Sequence, residues 1–198
     1  MYAKSTTTIA NILESAQELF LNKNYADVTM SDIAEAAQVT KGALYHHFTS
    51  KEELYQAMML VDLGEKRALM QAAAKSKGTC RERLHRLTLN FLNLPPAKRE
   101  LMRLVRRDIN IFKDPIRDNL IRAYQVALPE QVEAIIRDGI RDGELKETDP
   151  RLLSWEYVAL VEVVLNGYAQ DILGSNGRAA DYVLNLFFNG AKATNQTN

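Results

Sequence analysis

Residues 29–54 read TMSDIAEAAQVTKGALYHHFTSKEEL, and three helix starts are written into them. Thr29 with Asp32 three residues on is a variant of the capping box, Thr40 is a second N-cap, and Ser50-Lys51-Glu52-Glu53 is a full S-x-x-E box. The first two open short helices separated by Gln38-Val39, the second running to about His46. The third opens a long helix predicted to reach about Lys77, with Gly78 closing it. Ile33, Ala34, Ala37, Val39 and Leu44 have the spacing that locks two helices across a tight turn, and the small alanines permit close approach. That is a helix-turn-helix, whose second helix projects into the DNA major groove. Val39 and Leu44 face inward, leaving Thr40, Lys41, Gly42, Ala43, Tyr45 and His46 for the outside.

Outward from this segment the chain reads helical in both directions. Upstream, Ile9, Ile12, Leu13, Ala16, Leu19 and Phe20 make one apolar stripe ending near Asn22-Lys23-Asn24. Downstream, Thr79 with Glu82 caps a helix bearing Leu84, Leu87 and Phe91, and Pro95-Pro96 breaks the chain before Leu101, Leu104 and Val105. Asp114-Pro115 reads as a cap with Pro at N1, Pro129 as a kink or break, and Gly143 as a stop. Asp149-Pro150 is expected to open one apolar helix to Leu173, stopped by Gly174, and a final helix spans roughly Arg178 to Ala191. The tail Thr194 to Asn198 is expected to be disordered. The fold class is all-α, with about nine helices: a helix-turn-helix domain over 1–53 and a ligand-binding and dimerisation domain over 54–198.

Composition bounds the rest. The 198 residues are 46% hydrophobic and 25% charged, ordinary for a globular chain, with a single cysteine, Cys80, so no internal disulfide forms. The N-terminus lacks the apolar stretch of a signal peptide and no apolar run approaches a membrane span, so a cytoplasmic protein without membrane contact is expected. Net charge is zero, yet residues 1–55 carry four Lys, no Arg and seven acidic residues. A basic domain is the usual footprint of nucleic-acid binding. DNA recognition here therefore has to come from local geometry.

The segment resembles the DNA-binding domain of the TetR family of bacterial transcriptional regulators. Thr29, Ile33, Ala34, Ala37, Val39, Gly42, Leu44, Tyr45, His47, Phe48, Ser50, Lys51, Glu52 and Leu54 stand in register with that family's pattern, and Ile12-Leu13, Ala16 and Leu19-Phe20 match its first helix. Further on, only the helical pattern and GIRDGEL-x-x-x-DP at 139–150 look familiar. The chain departs from the pattern at Gln38, where Gly is usual and a positive φ would be strained, at Thr40 in place of Ser, and in an N-terminal arm with Lys4 alone. The resemblance implies that Thr29 and Thr40, at helix N-termini, meet phosphate, that Tyr45 and His47 touch the backbone, and that Lys51 reaches phosphate from the fourth helix. Lys41, Gly42 and Ala43 face the groove: Lys41 toward guanine, Ala43 toward a thymine methyl, with Gly42 allowing close approach. His46 completes the set. It also implies a homodimer spanning two major grooves of a palindromic operator in double-stranded DNA, and a small-molecule inducer of unknown identity that releases it as a repressor.

Plainer readings sit beside these. His47 packs under the domain with Phe48, and adjacent His46 and His47 point about 100° apart, which makes no metal site. Cys80 reads as inert, and the run Arg99, Arg103, Arg106 and Arg107 as a solvated face, an acidic-ligand site or a brace for the DNA-binding domain. No nucleophile triad, phosphate loop or carboxylate pair marks an enzyme, and no cofactor is implied. The helix from Asp149 and the last helix are apolar on more than one face, as a four-helix interface with a second subunit requires. Within it Glu162 and Asn166, with Trp155 and Tyr124 as aromatic neighbours, are candidates to line an inducer pocket; the alternative for Glu162 is an interface hydrogen bond or a helix edge in water. Two functional readings stay open beside the repressor. One is an activator or partner-dependent regulator of the same fold, and the other a helical small-molecule binder whose DNA-binding domain has degenerated.

Overall fold

Both threonine boxes are closed in the computed structural model, which describes residues 2–189 and the side chains from Thr6 onward. Thr29 Oγ1 accepts from the Asp32 N–H at 3.1 Å while the Asp32 carboxylate accepts from the Thr29 N–H at 2.8 Å. Thr79 and Glu82 repeat the arrangement at 3.2 and 2.9 Å. The side chain of Lys4 and the tail from Thr194 lie outside the described residues.

Eleven α-helices and no strand make up the described residues. They are α1 (Tyr2–Asn22), α2 (Met30–Ala36), α3 (Lys41–His47), α4 (Lys51–Ala74), α5 (Cys80–Leu92) and α6 (Pro96–Asp108). Then follow α7 (Ile116–Ala127), α8 (Pro129–Arg141), α9 (Pro150–Val163), α10 (Gly167–Leu173) and α11 (Asn176–Asn189). Short 3-10 turns occupy Tyr25–Asp27 and Ile109–Ile111. The all-α expectation holds, and the count exceeds nine for two reasons. Pro129, lacking an N–H and placed at N1, starts α8 as a separate helix. The apolar helix from Pro150 also ends at Val163, because the Asn166 side chain accepts from the Ala169 N–H at 2.8 Å and caps a new helix.

Other boundaries shift for equally local reasons. Ser50 Oγ accepts from the Glu53 N–H, but the Glu53 carboxylate reaches back to the N–H and hydroxyl of Thr49 instead of to Ser50. α4 ends at Ala74, three residues before Lys77. The Asp114–Pro115 peptide is cis, and α7 begins at Ile116, after the proline that was expected at its N1.

The chain divides into two compact units, one running through residue 65 and resuming over 95–124, the other comprising 66–94 and 125 onward. In the first, Ile12, Ala16, Ile33, Ala34, Ala37 and Leu44 are buried between α1, α2 and α3. Burial of each large aliphatic side chain contributes about 1.5–3 kcal/mol. Beside them Phe20, Tyr25, Tyr55 and Phe112 form an aromatic cluster with ring centroids 5.0–5.7 Å apart. Tyr55 donates to Asp108 at 3.0 Å, and the Arg107 guanidinium grips both Asp108 oxygens and touches the Phe20 carbonyl at 3.4 Å. Burial first, then the Asp108 charge, pushes the Tyr55 hydroxyl far above its ordinary value. This network ties the end of α6 to α1 and α4, so Arg107 is a brace.

In the second unit α8 packs along α9, and α5 packs on α8 and α11. Tyr157 is fully buried; its hydroxyl shares a 2.6 Å bond with that of Thr88 and donates to the Leu84 carbonyl at 3.3 Å. The GIRDGEL stretch docks α8 on α5. Gly139 meets Cys80 across the helix contact, Gly143 turns the chain at φ 75°, and the Glu144 carboxylate takes the Cys80 N–H with both oxygens at 2.9 Å. Asp138 completes the junction with a 2.8 Å bond to Arg83. Burial, followed by the Glu144 charge, pushes the Cys80 thiol up to about 12, which leaves it inert as expected.

Candidate nucleic-acid interface

The turn between α2 and α3 is locked by the backbone. Gln38 donates to the Glu35 carbonyl at 3.0 Å and Val39 to the Ala34 carbonyl at 2.9 Å, with Gln38 at φ 54°. The position where the resembled pattern has glycine thus does need a positive φ, and a glutamine holds it at a steric cost. From α1, Asn11 Nδ2 donates to the Ala37 carbonyl at 2.7 Å, a contact across 26 residues that no local pattern announces.

On α3, Leu44 is fully buried and Phe48 closes the helix beneath it. Their burial fixes the opposite face outward. Lys41, Gly42, Tyr45 and His46 are exposed, Tyr45 by 51%, and Ala43 and His47 are half-buried beside them. The rings of His46 and His47 meet edge to face with centroids 5.2 Å apart. Thr40 Oγ1 accepts from the Ala43 N–H at 3.1 Å, and Thr29 and Thr40 are both exposed. A hydroxyl used once as an acceptor still has its proton to give. Both threonines can therefore cap a helix and donate outward together. The Thr29 N–H holds the Asp32 carboxyl below the usual range, so this acid is a fixed part of the cap.

Lys51 is engaged within the domain. Its ammonium donates to the Tyr25 and Val28 carbonyls, both at 2.8 Å, and stands 4.2 Å from the centroid of the Tyr25 ring. Of the other eight candidates, Thr29, Thr40, Lys41, Gly42, Tyr45 and His46 are exposed and Ala43 and His47 half-buried; Lys51 points back into the domain.

The four candidate pocket residues fare differently. Trp155 is 50% exposed on α9, with the Arg151 guanidinium 5.4 Å from its ring centroid. Asn166 is exposed, and its amide oxygen caps α10. Glu162 is half-buried in the last turn of α9, and Tyr124 is half-buried near the end of α7. None of them lines the open groove of about 830 Å³ in the first unit, formed by the end of α1 and by α6 around Glu18, Asn22, Arg103 and Arg107. In that groove Arg103 pairs with Glu100 at 3.1 Å. Among the described residues no three His, Cys, Asp or Glu side chains gather as metal ligands, and no helix is long and apolar enough to cross a membrane.

Comparison with known proteins agrees with this geometry. Residues 12–58 match the family model of bacterial regulatory proteins, tetR family. The chain is 26% identical over 154 residues to the HTH-type transcriptional regulator YhgD of Bacillus subtilis, covering 76% of this chain and 80% of that protein. The TetR-family regulator PfmR of Thermus thermophilus superposes with a TM-score of 0.77 at 25% identity, over 92% of this chain and 99% of that one. The fold is also that of the regulator FadR of Bacillus subtilis solved with stearoyl-CoA, with a TM-score of 0.77 at 21% identity and the same two coverages. The chain therefore carries the DNA-binding segment of bacterial regulatory proteins of the tetR family over residues 12–58 and is similar in overall fold to TetR-family regulators.

Proposed function

We propose that this regulator is a cytoplasmic homodimeric repressor that binds a palindromic operator and leaves it when a small molecule binds the helices beyond residue 54. One observation carries the DNA reading: the buried Leu44 holds α3 so that Lys41, Gly42, Ala43, Tyr45 and His46 form its outer edge, flanked by the exposed caps Thr29 and Thr40. Lys41 offers a donor to guanine, and Gly42 lets the helix backbone approach the groove floor. Thr29, Thr40, Tyr45 and His47 hold phosphates on either side.

The dimer reading is supported by α9. Leu152, Trp155, Ala159 and Val163 recur at helical spacing and are exposed, with Tyr182 of α11 exposed as well. An apolar stripe of this size on a water-facing helix seeks a partner surface. A second copy supplies the same stripe, closes a four-helix interface and sets two recognition helices one helical turn of DNA apart. The inducer shifts a population toward dimers whose recognition helices miss that spacing; a few kcal/mol of differential affinity suffices. Coenzyme A thioesters are the first inducer class to try, given the stearoyl-CoA bound to the similarly folded FadR.

Hydrogen exchange on the full chain with a random 30-base-pair duplex at low salt tests the interface. Protection concentrated in residues 29–47 supports it, and protection elsewhere or nowhere removes it.

A further inference from the structure

Lysine ammonium groups carry three donors and no acceptor. Two of those of Lys51 go to the carbonyls of Tyr25 and Val28, and the charge rests against the Tyr25 ring. The Tyr25 ring is itself held by Phe20, Tyr55 and Phe112, so the anchor stands on the aromatic cluster of the first unit. Val28 immediately precedes Thr29, the cap of α2, and Lys51 opens α4 four residues after His47, the last of α3. One side chain therefore clamps the backbone just before α2 to the backbone just after α3.

We propose that Lys51 is a positioning residue that sets the start of α2, and with it the Thr29 hydroxyl, against the recognition helix, and that it makes no phosphate contact of its own. Burial of Ile33 and Leu44 holds α2 to α3, but apolar contacts are non-directional and leave the end of α2 free to slide; two directed hydrogen bonds do not. Carbonyl bonds leave the charge of the ammonium in place; what keeps it from a phosphate is its direction, turned back onto the Tyr25 and Val28 carbonyls and the Tyr25 ring. The inference rests on the DNA-binding reading of α2 and α3.

The test uses the full chain and a 30-base-pair duplex enriched from random DNA, titrated from 50 to 200 mM salt. Lys51→Met keeps the stem and removes the donors. It should weaken binding about tenfold at every salt concentration, the order expected for losing a pair of charge-assisted hydrogen bonds. The slope of log affinity against log salt should equal that of wild type, because no phosphate contact is lost. Thr29→Ala added to Lys51→Met should cost under about twofold more, because coupled sites are not additive. A slope reduced by about 0.9 in Lys51→Met, or wild-type affinity, overturns the proposal.

A second measurement needs no variant to fold. In the DNA-free wild type with 15N-lysine, the ammonium assigned by Overhauser contacts to the Tyr25 ring should exchange slowly with water, unlike that of Lys41. Equally fast exchange of the two overturns the proposal. If the ammonium is protected and wild type binds no duplex at any salt, the anchor stands and the DNA reading is what fails.

Discussion

Replacing Gly139 by alanine should loosen the junction of α5 and α8. A Cβ at 139 would lie 2.7 Å from Cys80 Sγ, 2.8 Å from Cys80 Cβ and 3.3 Å from Leu145 Cδ1. Carbon atoms rest about 3.5–4.0 Å apart, so the gap must open by nearly an ångström. The Cys80 Cβ cannot swing aside, since its backbone N–H is held by Glu144. The helices themselves must shift. Overpacking of this kind costs about 1–3 kcal/mol. Alanine regains up to about 1 kcal/mol of helix propensity over glycine, so the middle of that range, about 2 kcal/mol, leaves a net loss of about 1–2 kcal/mol. For a chain near 200 residues each kcal/mol moves the melting temperature by about 2–4 °C, so a fall of about 2–8 °C is expected. Thermal unfolding followed by circular dichroism at fixed protein concentration reads it. Cys80→Gly removes both nearest atoms, so Gly139→Ala should cost much less in that background than in wild type. A Gly139→Ala protein as stable as wild type, or an equal cost in both backgrounds, would refute the close packing.

Three further outcomes follow from the same reasoning. Gln38→Gly relieves a left-handed backbone worth about 1 kcal/mol against a smaller entropic loss in the unfolded chain; urea unfolding should show a small gain in stability with DNA affinity unchanged, and a clear loss of stability would count against the strain. Val163→Asp puts a charge in the proposed dimer interface, where an unpaired charge is costly, so light scattering should find the dimer weakened at least about a hundredfold by that penalty, and a wild-type dimer would move the interface elsewhere. Arg83 holds the Asp138 carboxyl below its ordinary value, so its stabilisation is complete above the unfolded carboxyl value of about 4 and is lost as pH falls through the lower folded value. The stability gap between wild type and Asp138→Asn, read by urea unfolding, should therefore be open at pH 7 and shrink well below pH 4; a gap independent of pH contradicts the ion pair.

What could be read in the sequence was local. Caps are written within three residues of themselves, so Thr29, Thr40, Thr79 and Asp149 each accept the N–H expected of them. The break before α10 was also written locally, as Asn166-Gly167, but Val163, Val164 and Leu165 carry the apolar pattern across it and hid the cap. The outer residues of α3 followed from Val39 and Leu44, read as facing inward; Leu44 is fully buried and Val39 half-buried. Distant contacts left no such trace. Lys51 meets carbonyls 26 and 23 residues away, and Arg107 meets one 87 residues away. Backbone carbonyls carry no residue identity, so no side-chain pattern could announce them. Gly139 was visible as part of a familiar stretch, and only the Cys80 side chain opposite explains it.

The central claim is sequence-specific binding by a dimer through α3. Selection of random duplex DNA on the full chain at moderate salt, sequenced after a few rounds, tests it most directly. An enriched palindrome is predicted, with half-site centres about 34–36 Å apart, one helical turn, as paired recognition helices require. Binding that merely tracks salt and enriches no sequence would contradict the claim.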